Sequence, residues 1–499
     1  MSLICLSLTG RSIEEDLRVL DLYRGQVDVV ELRADYLEPS EKFLIRSFPE
    51  RAGLPCILTV RRKADGGQYE EGEGGRLAMI AEGLAYAKLD RSANFAYIDL
   101  ESDFHVPAVE EACHIFGTRI IRSMHCVKGL PDNLDEAWKA VSGQAEEIPK
   151  LAFACTGAAD LAKLALWAEK LPARDRIVVG MGEYGFPTRV LAERLGSFLS
   201  YTSPFSAGLP GAAPGQLDPS TLAKSYRFHS IGPNTEVYAL AGGKSVVSSR
   251  SPELHNAAFC ETLRDAVYVP IAAENVEAFL AAADALSVRG ASVTVPLKET
   301  LLPYVSELSA DAAKIGACNT ILRGEKGWQG FNTDAVGFER ALLEFLQRTD
   351  LAGFRATVAG AGGAARAVAF ELAKLGADCL IVNRSVNAAR SLAKLYGFAW
   401  GACDERSADL VADHSDLIVN ATSVGMEGGP QGDPLEWYDF SGHEAVFDLV
   451  YKPERTALLC RAKAAGCRVS NGYAMLRYQA AAQFTIWTGR EPPLSCFSK

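Results

Sequence analysis

The chain has 499 residues, 48% of them hydrophobic and 23% charged, with a formal net charge of −11. That length allows two or more domains with separate cores, and the composition is that of an ordinary globular protein. The acidic balance argues against nucleic acid or an anionic membrane as the main partner, while leaving room for small anions bound by local arginines and lysines.

The opening "SLICLSL" is too short for a signal-peptide core and runs straight into "TGRSIEEDLR", which reads as a helix start. No run approaches the ~18 apolar residues of a membrane span. From residue 1 to about 222 a short apolar strand followed by helical sequence recurs. The candidate strands are "LICLSL" (3–8), "VDVVELR" (27–33), "CILTVR" (56–61), "FAYIDLE" (95–101), "TRIIRSMH" (118–125), "KLAFAC" (150–155), "RIVVGMG" (176–182) and "SPFSAG" (203–208). Helical stretches such as "AADLAKLALWAEKL" (158–171) lie between them. Eight β-then-α units predict a small parallel (β/α)8 barrel, with an open doubly wound sheet as the alternative. "FHSIGPNTEVYAL" (228–240) reads as a junction, and a second α/β body follows. Its clearest piece, "RATVAGAGGAARAVAFELAKLGADCLIVNRS" (355–385), is a βαβ unit. The twelve cysteines are scattered without a CxxC pair. No metal site is therefore expected, and reduced thiols in the cytoplasm are.

One strand carries an unusual residue. Alternation puts Lys150, Ala152 and Ala154 on one face of "KLAFAC" and Leu151, Phe153 and Cys155 on the other. The small face leaves space beside the amine, which makes it either a chemical group facing a cavity or a strand-end lysine reaching for water. Other strand ends are polar too: Glu31 and Arg33, Arg61, Glu101 and His125. Barrel active sites lie at the C-terminal strand ends, so these residues together make Schiff-base chemistry with acid–base help plausible.

Through "VELRAD", "TVRRKADGGQYE", "IDLE", "SMH", "IPKLA", "FPTR" and "APGQ", residues 1–222 resemble the type I 3-dehydroquinate dehydratases. The resemblance implies that Lys150 forms an imine with the substrate ketone and that His125 is general acid and base. It also implies that Arg189 holds the substrate carboxylate and that Glu31, Arg33, Arg61, Asp65, Met181 and Gln216 shape the pocket. No cofactor is implied for this half. Two positions depart from the family pattern. Asp65 stands where glutamate is frequent, and Ala212 stands where a serine would offer a hydroxyl.

In the second body "GAGGAA" (360–365) is a G-x-G-x-x-A turn between strand and helix. Gly360, Gly362, Gly363 and Ala364 would let the backbone approach a pyrophosphate at the helix N-terminus; glycine turns also serve plain strand–helix packing. The next strand ends in Asn383, Arg384 and Ser385 rather than in an acidic residue. An arginine there favours a 2′-phosphate and hence NADP, unless it is a surface cation; Arg366, one turn into the helix, would assist.

Residues 236–499 resemble shikimate dehydrogenase through "SSRSPELHN", "VTVPLKE", "GACNTI", "GFNTDAVG", the glycine turn, "NATSVGM", "DLVYKP" and "MLRYQAA". This implies a catalytic pair of Lys298 and Asp334. Ser249, Ser251, Asn319 and Gln479 would bind the substrate's carboxylate and hydroxyls, with Thr294 and Tyr451 nearby and Thr422 at the cofactor. Without the resemblance, Lys298 would be a helix-start cation and "NTD" a capped loop. The expected organisation is a dehydratase barrel (1–225), a linker (226–235), a substrate-binding domain (236–340, completed by 472–499) and an NADP-binding domain (341–471). The implied reactions are consecutive: 3-dehydroquinate loses water, and the product 3-dehydroshikimate is reduced to shikimate. No nucleic-acid or membrane partner is expected. An aldolase-like barrel fused to a quinate-preferring dehydrogenase is one rival; a ligand-binding pseudoenzyme is the other, and the retained Lys150, His125, Lys298 and Asp334 argue against it.

Overall fold

A computed structural model describes residues 1–84 and 93–497. The chain divides into two compact units, Met1–Val288 and Arg289–Lys499.

The first unit contains an eight-stranded parallel sheet: β1 Leu3–Leu8, β2 Val29–Arg33, β3 Cys56–Thr59, β4 Tyr97–Glu101, β5 Arg119–Cys126, β6 Ile148–Ala154, β7 Ile177–Met181 and β8 Leu199–Thr202. The ladder runs β7-β6-β5-β4-β3-β2-β1-β8. β7 and β8 meet at the seam, where Phe198 donates its N–H to the Arg176 carbonyl at 2.6 Å. The Ser197 hydroxyl also accepts from Val178 N–H at 2.9 Å across the same seam. The sheet is thus a nearly closed barrel. Helix α1, Ile13–Tyr23, starts where the sequence suggested: the Ser12 hydroxyl caps the Glu15 N–H at 3.2 Å.

Alternation sorts the strands. Cys5, Val29, Ile57, Ile121, Ile148, Ile177 and Leu199 form an apolar cluster inside the barrel. Each side chain of this size, fully buried, contributes roughly 1.5–3 kcal/mol. Two residues further along seven of the eight strands the inward position turns polar, to Ser7, Glu31, Thr59, Asp99, Ser123, Lys150 and Tyr201, while β7 keeps the apolar Val179. The barrel is therefore plugged with hydrocarbon at one end and lined with charge toward its C-terminal mouth. The eighth strand lies earlier than expected. "SPFSAG" is not a strand; after Ser203 the chain enters a short 3-10 turn, Phe205–Ala207, led by Pro204. Proline lacks the N–H a ladder needs, and "LSYT" just before it carries the pairing with β1. Beyond the barrel, β9 Glu236–Gly242 and β10 Ala266–Ala272 pair in parallel.

The second unit holds two sheet regions. In the first, β11 (Val288–Val293) pairs antiparallel with β13 (Thr320–Gly324), β13 forms a hairpin with β14 (Gly327–Phe331), and the short β12 (Glu307–Leu308) lies parallel to β14. The second is a parallel six-stranded sheet in the order β17-β16-β15-β18-β19-β20. Its strands are β15 Arg355–Ala359, β16 Asp378–Asn383, β17 Ala399–Ala402, β18 Leu417–Asn420, β19 Ala445–Asp448 and β20 Arg468–Ser470. Val358, Ile381, Val419 and Phe447 fill one face, and Leu380, Val382, Ile418 and Val446 the other. That double burial is why these strands read as continuous apolar runs. The order reverses between β15 and β18, which creates the crevice where doubly wound sheets bind ligands.

Candidate active sites

The inward-facing lysine is real. Lys150 is 5% exposed on β6, among the interior residues Ile148, Ala152 and Ala154, while Leu151 and Phe153 pack outward. It does not reach for water. Its ammonium donates to Asp99 Oδ2 on β4 at 2.7 Å and to the Tyr201 hydroxyl on β8 at 3.1 Å.

A buried ladder of alternating charge holds this group. Asp99 Oδ1 meets the Arg61 guanidinium at 2.7 Å and accepts from Ser123 Oγ at 2.5 Å. Arg61 also donates to Glu101 at 2.5 Å, and Glu101 is bound on its other oxygen by Arg76, which is fully buried. Burial works against the charge of Asp99, but Arg61 and Lys150 outweigh it and hold this carboxyl far below the usual carboxylate range. Glu31 accepts from Ser7 at 2.5 Å and Thr59 at 2.8 Å. Arg33 is paired bidentately with Asp35, at 2.9 and 2.8 Å.

His125 ends β5 with its Nδ1 buried and without a hydrogen-bond partner. Burial, reinforced by the cations Arg61 and Lys150, pushes its pKa well below the ordinary histidine value. The neutral ring, which can take a proton, is favoured. Arg189 sits on the short helix α2, Phe186–Val190. It is 2% exposed, its pKa is lowered to about 10 by burial, and among the described residues it donates only to the Pro214 carbonyl at 3.0 Å and the Tyr201 carbonyl at 3.4 Å. A buried guanidinium with no carboxylate partner among the described residues is prepared for an anion. Met181, at the end of β7, is also buried.

Two expected residues are held by neighbours in the loops. Asp65 is bound by Arg62 Nε at 2.6 Å. Gln216 Oε1 accepts from Ser203 Oγ and, at 3.0 Å, from Ala213 N–H. Ser203 Oγ in turn accepts the Ala212 N–H at 3.0 Å, so a hydroxyl lies beside the position whose side chain lacks one. Sequence reasoning missed Asp99, Ser123 and Tyr201. Asp99 and Ser123 stand two residues before Glu101 and His125, so the period-two rule would have found both. Tyr201 was lost with the displaced eighth strand.

In the second unit, Lys298 lies on the single-turn helix α3, Leu297–Thr300, and Asp334 in the first turn of α4, Thr333–Leu346. Residues 36 apart in sequence meet at 2.5 Å, Lys298 Nζ to Asp334 Oδ2. Asn319 orients the carboxylate. Its amide donates to Asp334 Oδ1 at 2.8 Å, while its oxygen accepts from Thr333 N–H at 2.7 Å and Thr320 Oγ1 at 2.8 Å. Gln479 reaches the same amide at 3.4 Å. It comes from the C-terminal helix Tyr473–Thr488, which approaches closely because residue 337 is glycine: a Cβ there would lie 2.7 Å from Gln479 Cβ. Thr294 precedes α3, its carbonyl accepting the Leu297 N–H at 2.9 Å, and Tyr451 follows β19, partly buried. Ser249 and Ser251 belong to the first unit, where their hydroxyls meet at 3.2 Å.

The glycine turn joins β15 to helix α5, Gly363–Lys374. Gly360 adopts φ +120°, which side chains resist, and a Cβ would press within 3.1 Å of the Ala421 backbone. Gly362 is different. A Cβ there would meet nothing within 4 Å, so protein packing does not require that glycine, and the space above the helix N-terminus suits a pyrophosphate. Gly363 and Ala364 begin the helix, with Lys298 Cδ 3.5 Å from where a Gly363 Cβ would stand. Lys298 thus borders the turn. Arg384 is exposed just past the end of β16, with Asn383 Nδ2 donating to the Ser385 carbonyl at 3.1 Å. Thr422, across the crevice, is held by Asn420 at 2.7 Å and lies beside Gly360. Arg366 leans toward Glu299 at 3.9 Å.

Comparison with known proteins finds matches along both halves of the chain. Residues 4–233 fit the type I 3-dehydroquinase family, 242–321 the shikimate dehydrogenase substrate binding domain and 472–497 the shikimate 5′-dehydrogenase C-terminal domain. The chain is 32% identical to the chloroplastic bifunctional 3-dehydroquinate dehydratase/shikimate dehydrogenase of Arabidopsis thaliana, over 99% of this chain and 83% of that protein. It is 42% identical to the shikimate dehydrogenase (NADP(+)) of Moorella thermoacetica, over 52% of this chain and 90% of that one. A solved shikimate dehydrogenase in complex with NADP+ is 37% identical and covers 54% of this chain and 94% of its own, with a TM-score of 0.49. The chain belongs to the bifunctional 3-dehydroquinate dehydratase/shikimate dehydrogenase family.

Proposed function

We propose that the barrel dehydrates 3-dehydroquinate to 3-dehydroshikimate through an imine on Lys150 and that the second body reduces this product to shikimate with NADPH. The enclosed Lys150, with His125 on the paired neighbouring strand, is the observation that carries the reading. The amine attacks the ketone carbon and water leaves, forming the imine. Withdrawal of electrons by the imine acidifies the neighbouring C–H; His125 takes that proton, and the resulting enamine expels the adjacent hydroxyl as His125 returns a proton to it. Water then releases Lys150. Arg189 binds the substrate carboxylate, and Glu31, Arg33, Arg61, Asp65, Met181 and Gln216 line the pocket.

In the second reaction Lys298 delivers a proton to the oxygen of the reacting carbon, and Asp334 holds the ammonium in place. NADPH supplies hydride when bound. Gly360, Gly362, Gly363 and Ala364 cradle the pyrophosphate, while Asn383, Arg384, Ser385 and Thr422 hold the adenosine phosphate and flanking groups. Asn319, Gln479, Thr294 and Tyr451 select the substrate. The domain division is a dehydratase barrel at 1–225, a linker, a substrate-binding domain at 236–340 completed by 472–499, and an NADP domain at 341–471. All twelve cysteines are free, in keeping with a reducing compartment, for which we propose the cytoplasm. No helix among the described residues is long and apolar enough to cross a membrane.

One coupled assay tests both halves: 3-dehydroquinate plus NADPH should consume NADPH without added dehydratase. A chain that oxidises NADPH only when 3-dehydroshikimate is supplied would defeat the dehydratase assignment. Faster turnover of quinate than of shikimate would favour the rival dehydrogenase.

A further inference from the structure

The Lys150 amine is held from two strands at once, and the second holder is not among the residues that the chemistry above requires. Tyr201 projects inward from β8 and is 5% exposed. Its hydroxyl accepts from Lys150 Nζ at 3.1 Å, and its ring centroid lies 4.2 Å from the same nitrogen. Asp99, on β4, takes a second N–H at 2.7 Å. We infer that Tyr201 is a positioning residue for imine formation, its hydroxyl and Asp99 together fixing the direction from which the Lys150 amine attacks. This inference rests on the proposal that Lys150 forms the imine.

The argument is one of tetrahedral geometry. A lysine nitrogen has three positions besides its carbon. Asp99 and Tyr201 occupy two of them, and the third has no hydrogen-bond partner among the described residues. When the ammonium loses a proton and keeps those two bonds, its lone pair takes the third position. A flexible four-carbon chain would otherwise spread that lone pair over many rotamers. Orientation of this kind contributes to rate without adding a reacting group. The hydroxyl acts as a neutral acceptor, since burial, with Glu31 and Asp99 nearby, pushes its ionisation well above the ordinary tyrosine range. The ring contributes a cation–π contact that a phenylalanine would keep.

Tyr201→Phe therefore isolates the hydroxyl. In a single-turnover experiment, enzyme and 3-dehydroquinate are mixed, quenched with borohydride at successive times, and the mass added to the Lys150 peptide is followed. The variant should acquire that mass about ten- to a hundredfold more slowly, with kcat reduced and KM within twofold of the unsubstituted protein. Shikimate oxidation by the same preparation should be unchanged, and the barrel should melt as in the unsubstituted protein, which a local folding defect would not allow. Wild-type trapping on Lys150 with an equal rate in Tyr201→Phe would overturn the inference alone. Mass on another lysine of the wild type would overturn the imine assignment and this inference together.

Discussion

The two lysines proposed for catalysis form ion pairs of similar length in different surroundings. The Lys150 and Asp99 side chains are 6% and 0% exposed, and their pair is embedded in a ladder of Arg61, Glu101 and Arg76. Lys298 and Asp334 are 18% and 9% exposed and border a glycine turn. The difference fits the chemistry proposed for each. An amine that forms a covalent bond profits from rigid aiming, which barrel strands supply from all sides. A lysine that must meet both a substrate and a separately bound cofactor needs an open flank, which helix ends and turns supply. Desolvation is costly for the first pair and is offset by its neighbours; the second incurs less of it.

The comparison breaks most visibly at Lys150. Lys150→Ala should lower dehydration of 3-dehydroquinate by more than about a thousandfold while leaving shikimate oxidation within twofold. Assaying both reactions on one preparation decides it, since parallel loss would mean the two sites are not independent. At the other pair, Lys298→Ala and Asp334→Asn should each remove most of the shikimate oxidation, about a hundredfold or more. If the pair works as one proton-transfer unit, the double variant should be little worse than either single one. Losses that multiply would show two separate roles. Arg384 sharpens the contrast further, being exposed and without an ion-pair partner among the described residues. Arg384→Ala should weaken NADP binding by about ten- to a hundredfold, from a charge-assisted contact of roughly 1.5–3 kcal/mol, with a smaller effect on NAD. Titration with both cofactors checks this; equal losses would make the arginine structural.

Much of this was legible in the chain. Strands β1 to β7 lie within about two residues of their apolar runs, because a strand buried on both faces must be continuously hydrophobic. The face assignment of Lys150 needed only alternation. What stayed hidden depended on partners distant in sequence. Tyr201 meets Lys150 across 51 residues, on a four-residue strand too short to show a period. Asp99 looked like one polar residue inside an apolar strand until its neighbours Arg61 and Lys150 were placed around it. The capture of Asp65 by Arg62 and of Gln216 by Ser203 are likewise loop geometries that motif spacing does not encode.

The smallest expected effect concerns His125, and it separates the two regions by pH. Burial disfavours the imidazolium, and Arg61 and Lys150 repel it, so the folded pKa is well below the ordinary value. In the unfolded chain the same ring titrates near ~6.5. Between the two values the unfolded chain binds more protons, so stability rises with pH across that window and falls as the pH drops below ~6.5. His125→Gln removes this titration. The variant's barrel should therefore lose less melting temperature between pH 7 and pH 5 than the unsubstituted protein, by roughly 2–4 °C for each kcal/mol involved. Near neutrality the two should melt alike apart from a pH-independent offset. The activity profile carries the same sign: the neutral ring persists below the usual histidine range, so dehydration should not fall away with a midpoint near 6.5. Identical pH slopes of melting in the two proteins, or a dehydratase midpoint at that value, would mean that His125 titrates as an exposed histidine and that the buried cation cluster does not govern it.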